Sequence, residues 1–150
     1  MHSLSDIKVE PLKPCMYADA SAAEKEALGA DGWSEESIAD TVNANGTYFA
    51  AFSFGTYIGH AGMTEAADEG YITNIAVKPE YRRKGAATAL IEALLKHSAE
   101  HNLIFLSLEV RESNRAAIAL YEKCGFKNVG VRPKFYRSPC ENAIIMTYYF

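Results

Sequence analysis

A short basic segment with one glycine has the composition of a phosphate-binding turn. The segment is Arg82-Arg83-Lys84-Gly85, and it joins a β-type run ending at Val77 to an amphipathic helical pattern. Free N–H groups and the dipole at a helix N-terminus favour an anion, and glycine lets the backbone come close to it. Arginine adds a fork that fits phosphate oxygens in pairs. An exposed basic cluster before a surface helix is the alternative that the turn by itself leaves open.

Glu109 is a second residue whose position needs an explanation. It interrupts an apolar strand pattern at 104–110, on the face shared with Phe105 and Ser107. A carboxylate buried there without a partner is costly, so a functional role is one interpretation. An ion pair with lysine or arginine at the strand end is the other. Tyr121, one helix later, lies on an apolar stripe, where a tyrosine is usually part of the core.

Hydrophobic periodicity and turn residues predict the elements that position these side chains. The pattern places strands at 6–12, 47–54, 57–64, 71–77, 104–110, 126–136 and 143–149, and helices at 18–28, 34–45, after residue 84 and at 114–124. Gly55-Thr56 is predicted to form a two-residue II′ hairpin turn, and residues 65–70 a polar loop. The order β-α-α-β-β-β-α-β-α-β-β mixes hairpins with βαβ crossovers around one sheet, which indicates a mixed α/β fold.

The composition is that of one ordinary globular domain. The chain has 150 residues, of which 49% are hydrophobic and 23% charged, and no linker or repeat divides it. These values exclude disordered and collagen-like classes. A formal net charge of −4 argues against nucleic-acid binding, which favours a basic surface, and mildly favours a cationic partner.

The cysteines and histidines predict neither a disulfide framework nor a metal site. Cys15, Cys124 and Cys140 are odd in number and widely separated, which favours a reducing cytoplasm. His97 and His101 have i,i+4 spacing, but without a nearby acid we interpret them as helix surface. Residues 1–6 lack the basic start and apolar run of a signal peptide, and no run of 18 apolar residues predicts a membrane helix.

The segments around the basic turn and around Glu109 together resemble the Gcn5-related N-acetyltransferase (GNAT) family, and the element order resembles the GNAT fold over essentially the whole chain. Within the family the chain looks most like the RimI-type ribosomal-protein-alanine N-acetyltransferases. That likeness is carried by Trp33-Ser34-Glu35, Leu108-Glu109-Val110-Arg111, Asn114, the run 116–121, Gly125-Phe126 and the tail 141–146. The resemblance implies metal-independent, direct acetyl transfer from acetyl-coenzyme A to the N-terminal amine of a protein, such as a ribosomal protein.

The resemblance also implies a set of residues that bind acetyl-coenzyme A. In the family, the strand before the phosphate turn hydrogen-bonds the pantetheine arm like an added strand, and the turn amides hold the pyrophosphate. Ala87 departs from the pattern, because the family often has a second glycine there. Asn114 is expected at the pantetheine end, with capping of the next helix as its structural alternative. The implied residues are Ile75, Ala76, Val77, Arg82, Arg83, Lys84, Gly85, Ala86, Ala87, Thr88 and Asn114.

The same resemblance implies the catalytic pair and the acceptor contacts. Glu109 matches the general base that collects the proton of the ammonium group, and Tyr121 matches the general acid that protonates the departing thiolate. Trp33 and Tyr136 match loop residues that flank the peptide groove in N-terminal acetyltransferases. Acetylation of a small amine or amino acid is the alternative within the family, and a non-catalytic acyl-coenzyme A sensor is the alternative of another class.

Overall fold

The computed structural model describes residues 6–150 and contains one seven-stranded sheet with four α-helices in that range. The strands are β1 Ile7–Pro11, β2 Thr47–Ser53, β3 Thr56–Ala66, β4 Glu69–Val77, β5 Phe105–Arg111, β6 Lys127–Tyr136 and β7 Glu141–Tyr149. The helices are α1 Tyr17–Leu28, α2 Glu35–Asn43, α3 Ala86–Glu100 and α4 Arg115–Lys123. The expected absence of a signal peptide concerns residues that lie mostly outside this range. No helix in residues 6–150 is long and apolar enough to span a membrane.

The strand order β1-β2-β3-β4-β5-β7-β6 confirms the mixed α/β fold. Every neighbouring pair is antiparallel except β4 and β5, which run parallel. Their pairing covers only residues 69–71 of β4 and 105–107 of β5. Beyond Tyr71 the two strands separate while each keeps its other neighbour. The sheet therefore opens in its middle, at the carboxyl ends of β4 and β5.

Helices cover both faces of the sheet because the strands alternate their apolar side chains between two cores. Ala51 and Met63 belong to the core under α3, where Leu90 and Leu94 are fully buried. Ala50, next to Ala51, belongs instead to the core under α1 and α2. This period-two alternation is the physical reason that one central sheet can bury helices on both sides.

Two predicted connections differ in the structure. The β2–β3 turn is formed by Phe54 and Gly55, with φ values of 49° and 80°, and Ser53 pairs with Thr56. Positive φ at both central residues is a type I′ turn, so the II′ prediction was wrong. The predicted loop at 65–70 was also wrong, since β3 continues to Ala66 and β4 begins at Glu69. Strands β3 and β4 continue to pair through this polar segment, because its polar side chains remain accessible to water while the backbone is paired.

Candidate active site

The separation of β4 and β5 creates a cleft of about 780 Å³. Strand β4, the basic turn and helix α4 form its walls. All of the residues predicted to bind the cofactor lie along it except Lys84 and Ala86. The lining residues are Ala27, Leu28, Ile75, Ala76, Val77, Tyr81, Arg82, Arg83, Gly85, Ala87, Thr88, Asn114, Ala116, Ala117, Leu120 and Tyr121.

The β4 wall of the cleft has an open backbone edge. Within residues 6–150, no strand pairs with residues 72–77 on the side that faces β5. Ala76 and Val77 have buried side chains, so their contribution to the cleft comes largely from the backbone. An unpaired strand edge can accept an extended ligand through main-chain hydrogen bonds. The geometry fits an arm that carries amide groups, as pantetheine does.

The basic turn at the other end of this edge has the geometry of an anion cradle. Gly85 caps α3 with φ 92°, and Arg83 also has positive φ, at 60°. In the described part of the chain, no protein group accepts a hydrogen bond from the amides of 83–88. A Cβ on Gly85 would lie 3.8 Å from Ile7 Cδ1, so glycine is required by its backbone angle rather than by lack of space. The free amides at a helix N-terminus fit a pyrophosphate.

Four residues in and just after the basic turn have roles that the sequence did not separate. Arg82 Nε donates to the Val77 carbonyl oxygen at 3.2 Å, so this arginine joins the turn to the end of β4. Ala86 is buried in the core and Lys84 lies outside the cleft lining, which leaves their backbone amides as their possible contribution. Ala87 lines the cleft, so the methyl group that replaces a second glycine is accommodated.

Tyr121 forms part of the α4 wall and is only 4% exposed. Burial raises the pKa of its phenol above the ordinary value, with smaller contributions from Tyr136 and Cys124. The ring packs edge-on against Phe126, with 5.7 Å between centroids. A neutral phenol at the cleft wall can donate a proton or a hydrogen bond. Asn114 Oδ1 accepts from the Ala117 amide at 3.2 Å, which confirms the capping role of Asn114 at the start of this helix.

Glu109 lies differently from expectation. Its side chain is 32% exposed, and its Oε2 atom lies 2.7 Å from Arg132 Nε on β6. The expectation of a buried carboxylate was wrong, and the ion pair is the alternative that the strand pattern left open. The same face of β5 is covered at Ser107, whose hydroxyl lies 2.8 Å from Thr147 Oγ1. It is open at Glu109, because β4 no longer pairs with β5 there. Glu109 is outside the residues that line the cleft.

Comparison with known proteins decides the family. The sequence profile described as "Acetyltransferase (GNAT) family" matches residues 12–126. The chain belongs to the GNAT acetyltransferase family.

Three comparisons illustrate the similarity of this GNAT protein. The bS18-alanine N-acetyltransferase of Escherichia coli is 38% identical over 116 residues, which covers 76% of this chain and 78% of that protein. A crystal structure of the Escherichia coli ribosomal-protein-alanine N-acetyltransferase has a TM-score of 0.88 at 33% identity and covers 95% and 93% of the two chains. An N-alpha-acetyltransferase of Saccharolobus solfataricus is 48% identical over 79 residues, or 52% of this chain and 47% of that protein.

Arg111 organises the outer side of the GNAT site, and sequence reasoning missed this role. Its guanidinium bonds Asp31 at 2.8 and 3.2 Å and Glu141 at 3.1 Å. It also stacks over the Tyr136 ring, 4.4 Å from the centroid. One side chain at the end of β5 thereby joins the α1–α2 connection to the β6–β7 connection. An arginine that ends an apolar strand, opposite an acidic turn, was the available signal.

Tyr136 and Trp33 lie around the GNAT cleft but outside its lining. Burial, followed by the charge of Glu109, raises the pKa of Tyr136 to about 12, so the phenol is neutral at pH 7. Trp33 is half-buried against the core beneath α1 and α2 and lines a separate recess of about 620 Å³. The structure therefore places Tyr136 against Arg111, at the end of the strand that carries Glu109, and leaves Trp33 in a neighbouring depression.

A buried polar network fixes the loop that carries Trp33. Glu24 and His60 are fully buried, and Glu24 Oε2 lies 2.7 Å from His60 Nε2 and 3.2 Å from Asn74 Nδ2. Its other oxygen accepts from the Trp33 amide at 3.1 Å. Tyr57 Oη completes the network at 2.6 Å from His60 Nδ1. The 3.6-residue periodicity of α1 places Glu24 on the buried face, so a helical reading of that segment could have identified it.

Proposed function

We propose that this protein transfers the acetyl group of acetyl-coenzyme A to the α-amino group of a protein N-terminus. The observation that carries the proposal is one cleft with three matched parts: an open strand edge, an anion cradle at a helix start, and a buried neutral phenol. These parts fit a pantetheine arm, a pyrophosphate and a departing thiolate. Membership of the GNAT acetyltransferase family supports the same donor.

The acceptor proposal draws on the relatives and on local charge. The Escherichia coli relative acts, by its name, on the alanine of a ribosomal protein, and the Saccharolobus relative is named an N-alpha-acetyltransferase. Tyr136 has three carboxylates near enough to act on its pKa, from Glu109, Asp31 and Glu141, with Arg111 opposing them. Arg132 also pairs with Glu109, so three carboxylates face two arginines, and the one excess negative charge favours an ammonium group and basic residues after it. A ribosomal protein with such an N-terminus, acetylated in the cytoplasm, is the acceptor class we propose.

In the proposed reaction the amine nitrogen forms a bond to the thioester carbonyl carbon, and the carbon–sulfur bond then breaks. A free α-amino group has a pKa of about 7.7–8.0, so at neutral pH it must first lose a proton. Glu109 is the proposed acceptor of that proton, directly or through water, since its side chain is partly exposed to solvent beside the ion pair that its Oε2 atom makes with Arg132 Nε. Tyr121 is the proposed donor to the sulfur, because its buried phenol is protonated at neutral pH.

The carbonyl oxygen becomes negatively charged as the new bond forms. A backbone amide near Val77, on the open β4 edge, is the proposed hydrogen-bond donor to this oxygen. Donors of this kind are already fixed by the sheet before the reaction begins. They therefore stabilise the charge without a reorganisation at the moment of transfer.

A specificity screen tests the acceptor. We expect a higher kcat/KM on a peptide that begins Ala-Arg than on free alanine or spermidine, because the proposed acceptor site binds the residue after the amine as well as the amine itself. The same peptide with a blocked N-terminus is the control for acetylation of side chains. A higher kcat/KM on spermidine or free alanine would contradict the peptide assignment and support a small-amine acetyltransferase. Absence of turnover with stoichiometric acetyl-coenzyme A binding would support the non-catalytic sensor.

A further inference from the structure

We propose that Glu65, His97 and His101 form a binding site for a divalent transition-metal ion, and that this ion is zinc. The three side chains converge at the end of α3 that is remote from the phosphate turn. Glu65 Oε2 lies 2.8 Å from His97 Nε2, and Glu65 Oε1 lies 3.2 Å from His101 Nδ1. All three candidate ligand atoms lie within 4.8 Å of one another. The earlier interpretation of the histidine pair, that no acid was near, was wrong because β3 supplies one.

The spacing of these atoms is close to that of a metal shell. Zinc bonds to histidine nitrogen and carboxylate oxygen are about 2.0–2.2 Å long, so ligand atoms around a tetrahedral ion lie about 3.4 Å apart. The two carboxylate oxygens of Glu65 lie 2.8 and 3.2 Å from the histidine nitrogens, slightly below that value, and no two candidate ligand atoms are more than 4.8 Å apart. The ion would replace the protons that now join the imidazoles to the carboxylate.

The elements hold the ligands in place before an ion arrives. His97 lies in the last turn of α3 and His101, four residues later, is its C-cap, and the two rings meet on the same side with 3.8 Å between centroids. The His97 side chain is 16% exposed and packs edge-on against Phe49 at 6.4 Å, while Glu65 is 23% exposed on β3. Thr47 Oγ1, 3.3 Å from His97 Nε2, supplies a further polar atom beside the site. The negative end of the helix dipole also favours a cation here.

The ligand set selects the class of metal. Two imidazoles and one carboxylate suit zinc, copper or nickel, whereas calcium and magnesium prefer shells made of oxygen. The twelve residues from Gly85 to His97 correspond to about 18 Å along α3, so the ion would be far from the acetyl-transfer cleft. Its expected effect is on stability, because it would join helix α3 to strand β3.

The test is zinc titration of chelator-treated protein by calorimetry, with thermal unfolding in parallel. The wild type is expected to bind one zinc ion per chain and to unfold at a higher temperature as zinc is added. Glu65→Gln and His101→Gln should each weaken binding at least as much as loss of an outer-shell partner, about 10–100-fold. Glu100→Gln removes a charge from the exposed surface of the same helix end and should change affinity less than threefold, which is about 0.65 kcal/mol.

Cobalt absorption identifies the ligands independently. Cobalt bound to histidine and carboxylate gives visible bands without thiolate charge-transfer absorption, and Glu65→Gln should abolish those bands. Wild-type zinc affinity in both Glu65→Gln and His101→Gln would overturn the proposal. So would thiolate absorption, which would assign the metal to a cysteine, or the absence of saturable binding to the wild type, which would leave a hydrogen-bonded Glu–His cluster.

Discussion

Replacement of Tyr121 by phenylalanine removes the proposed general acid without creating a cavity. The ring is 4% exposed and packs against Phe126, and phenylalanine preserves both the packing and the helix. General acid–base groups typically contribute about 10²–10⁴-fold to rate, so kcat should fall by that factor, or about 2.7–5.5 kcal/mol in activation free energy. The phenol has no hydrogen bond to another protein group in residues 6–150, so the free energy of unfolding should change by less than about 0.5 kcal/mol.

The assay is release of the coenzyme A thiol with an Ala-Arg peptide, together with thermal unfolding of the same samples. Tyr148→Phe is the matched control, because Tyr148 also packs against Phe126, with 5.8 Å between centroids, and lies outside the cleft lining. The control should keep wild-type kcat. Wild-type kcat in Tyr121→Phe, or an equal loss in both variants, would refute the assignment of Tyr121 as the acid.

Three further predictions concern the cofactor turn, the base and alkaline stability. Gly85→Asp should abolish the thermal stabilisation by acetyl-coenzyme A, whereas Gly55→Asp, also at positive φ but in an exposed hairpin, should retain it. Glu109→Gln should lower kcat by about 10²-fold or more at neutral pH, and by less at pH 9, where the amine is already free. Arg132→Gln should lower kcat much less. Equal losses of kcat in the two variants would assign Glu109 to an ion pair only. Burial raises the pKa of Tyr48 to about 12 from an unfolded value of about 10, so the folded state retains this proton and stability is lost as pH rises from 10 to 12. Tyr136 and Tyr121 contribute to the loss over the same window, so the share of Tyr48, up to about 2.7 kcal/mol, is the part of the loss that should disappear from denaturant titrations of Tyr48→Phe; an unchanged slope would contradict the shift.

The sequence was sufficient for those parts of the site that depend on local chain geometry. A positive-φ glycine before a helix and an asparagine cap both follow from short segments, and Gly85 and Asn114 adopt these conformations. Long periodic patterns likewise predicted the order of the elements. Local patterns could not predict how far β4 and β5 separate. The separation depends on pairing between residues that are 30 or more positions apart in the chain. The exposure of Glu109 is a direct result of this separation.

Features made by distant residues were the ones that sequence reasoning missed. Arg111 meets Asp31 across 80 positions, and Glu24 meets His60 across 36. Glu65 and His97 are 32 positions apart and come together because β3 extends through a segment that its polar composition assigned to a loop. Side-chain chemistry suggests a partner in each case, but only the register of the sheet and the placement of the helices select it.

The position of the transferred acetyl group tests the central proposal most directly. A peptide that begins Ala-Arg and contains an internal lysine should be incubated with acetyl-coenzyme A and the protein, and the product sequenced by tandem mass spectrometry. We predict one added acetyl group, on the α-amino nitrogen of alanine, and none on the lysine side chain. Acetylation of the lysine alone, or an unmodified peptide under conditions in which spermidine or a free amino acid is acetylated, would contradict the proposed N-terminal acetyltransferase.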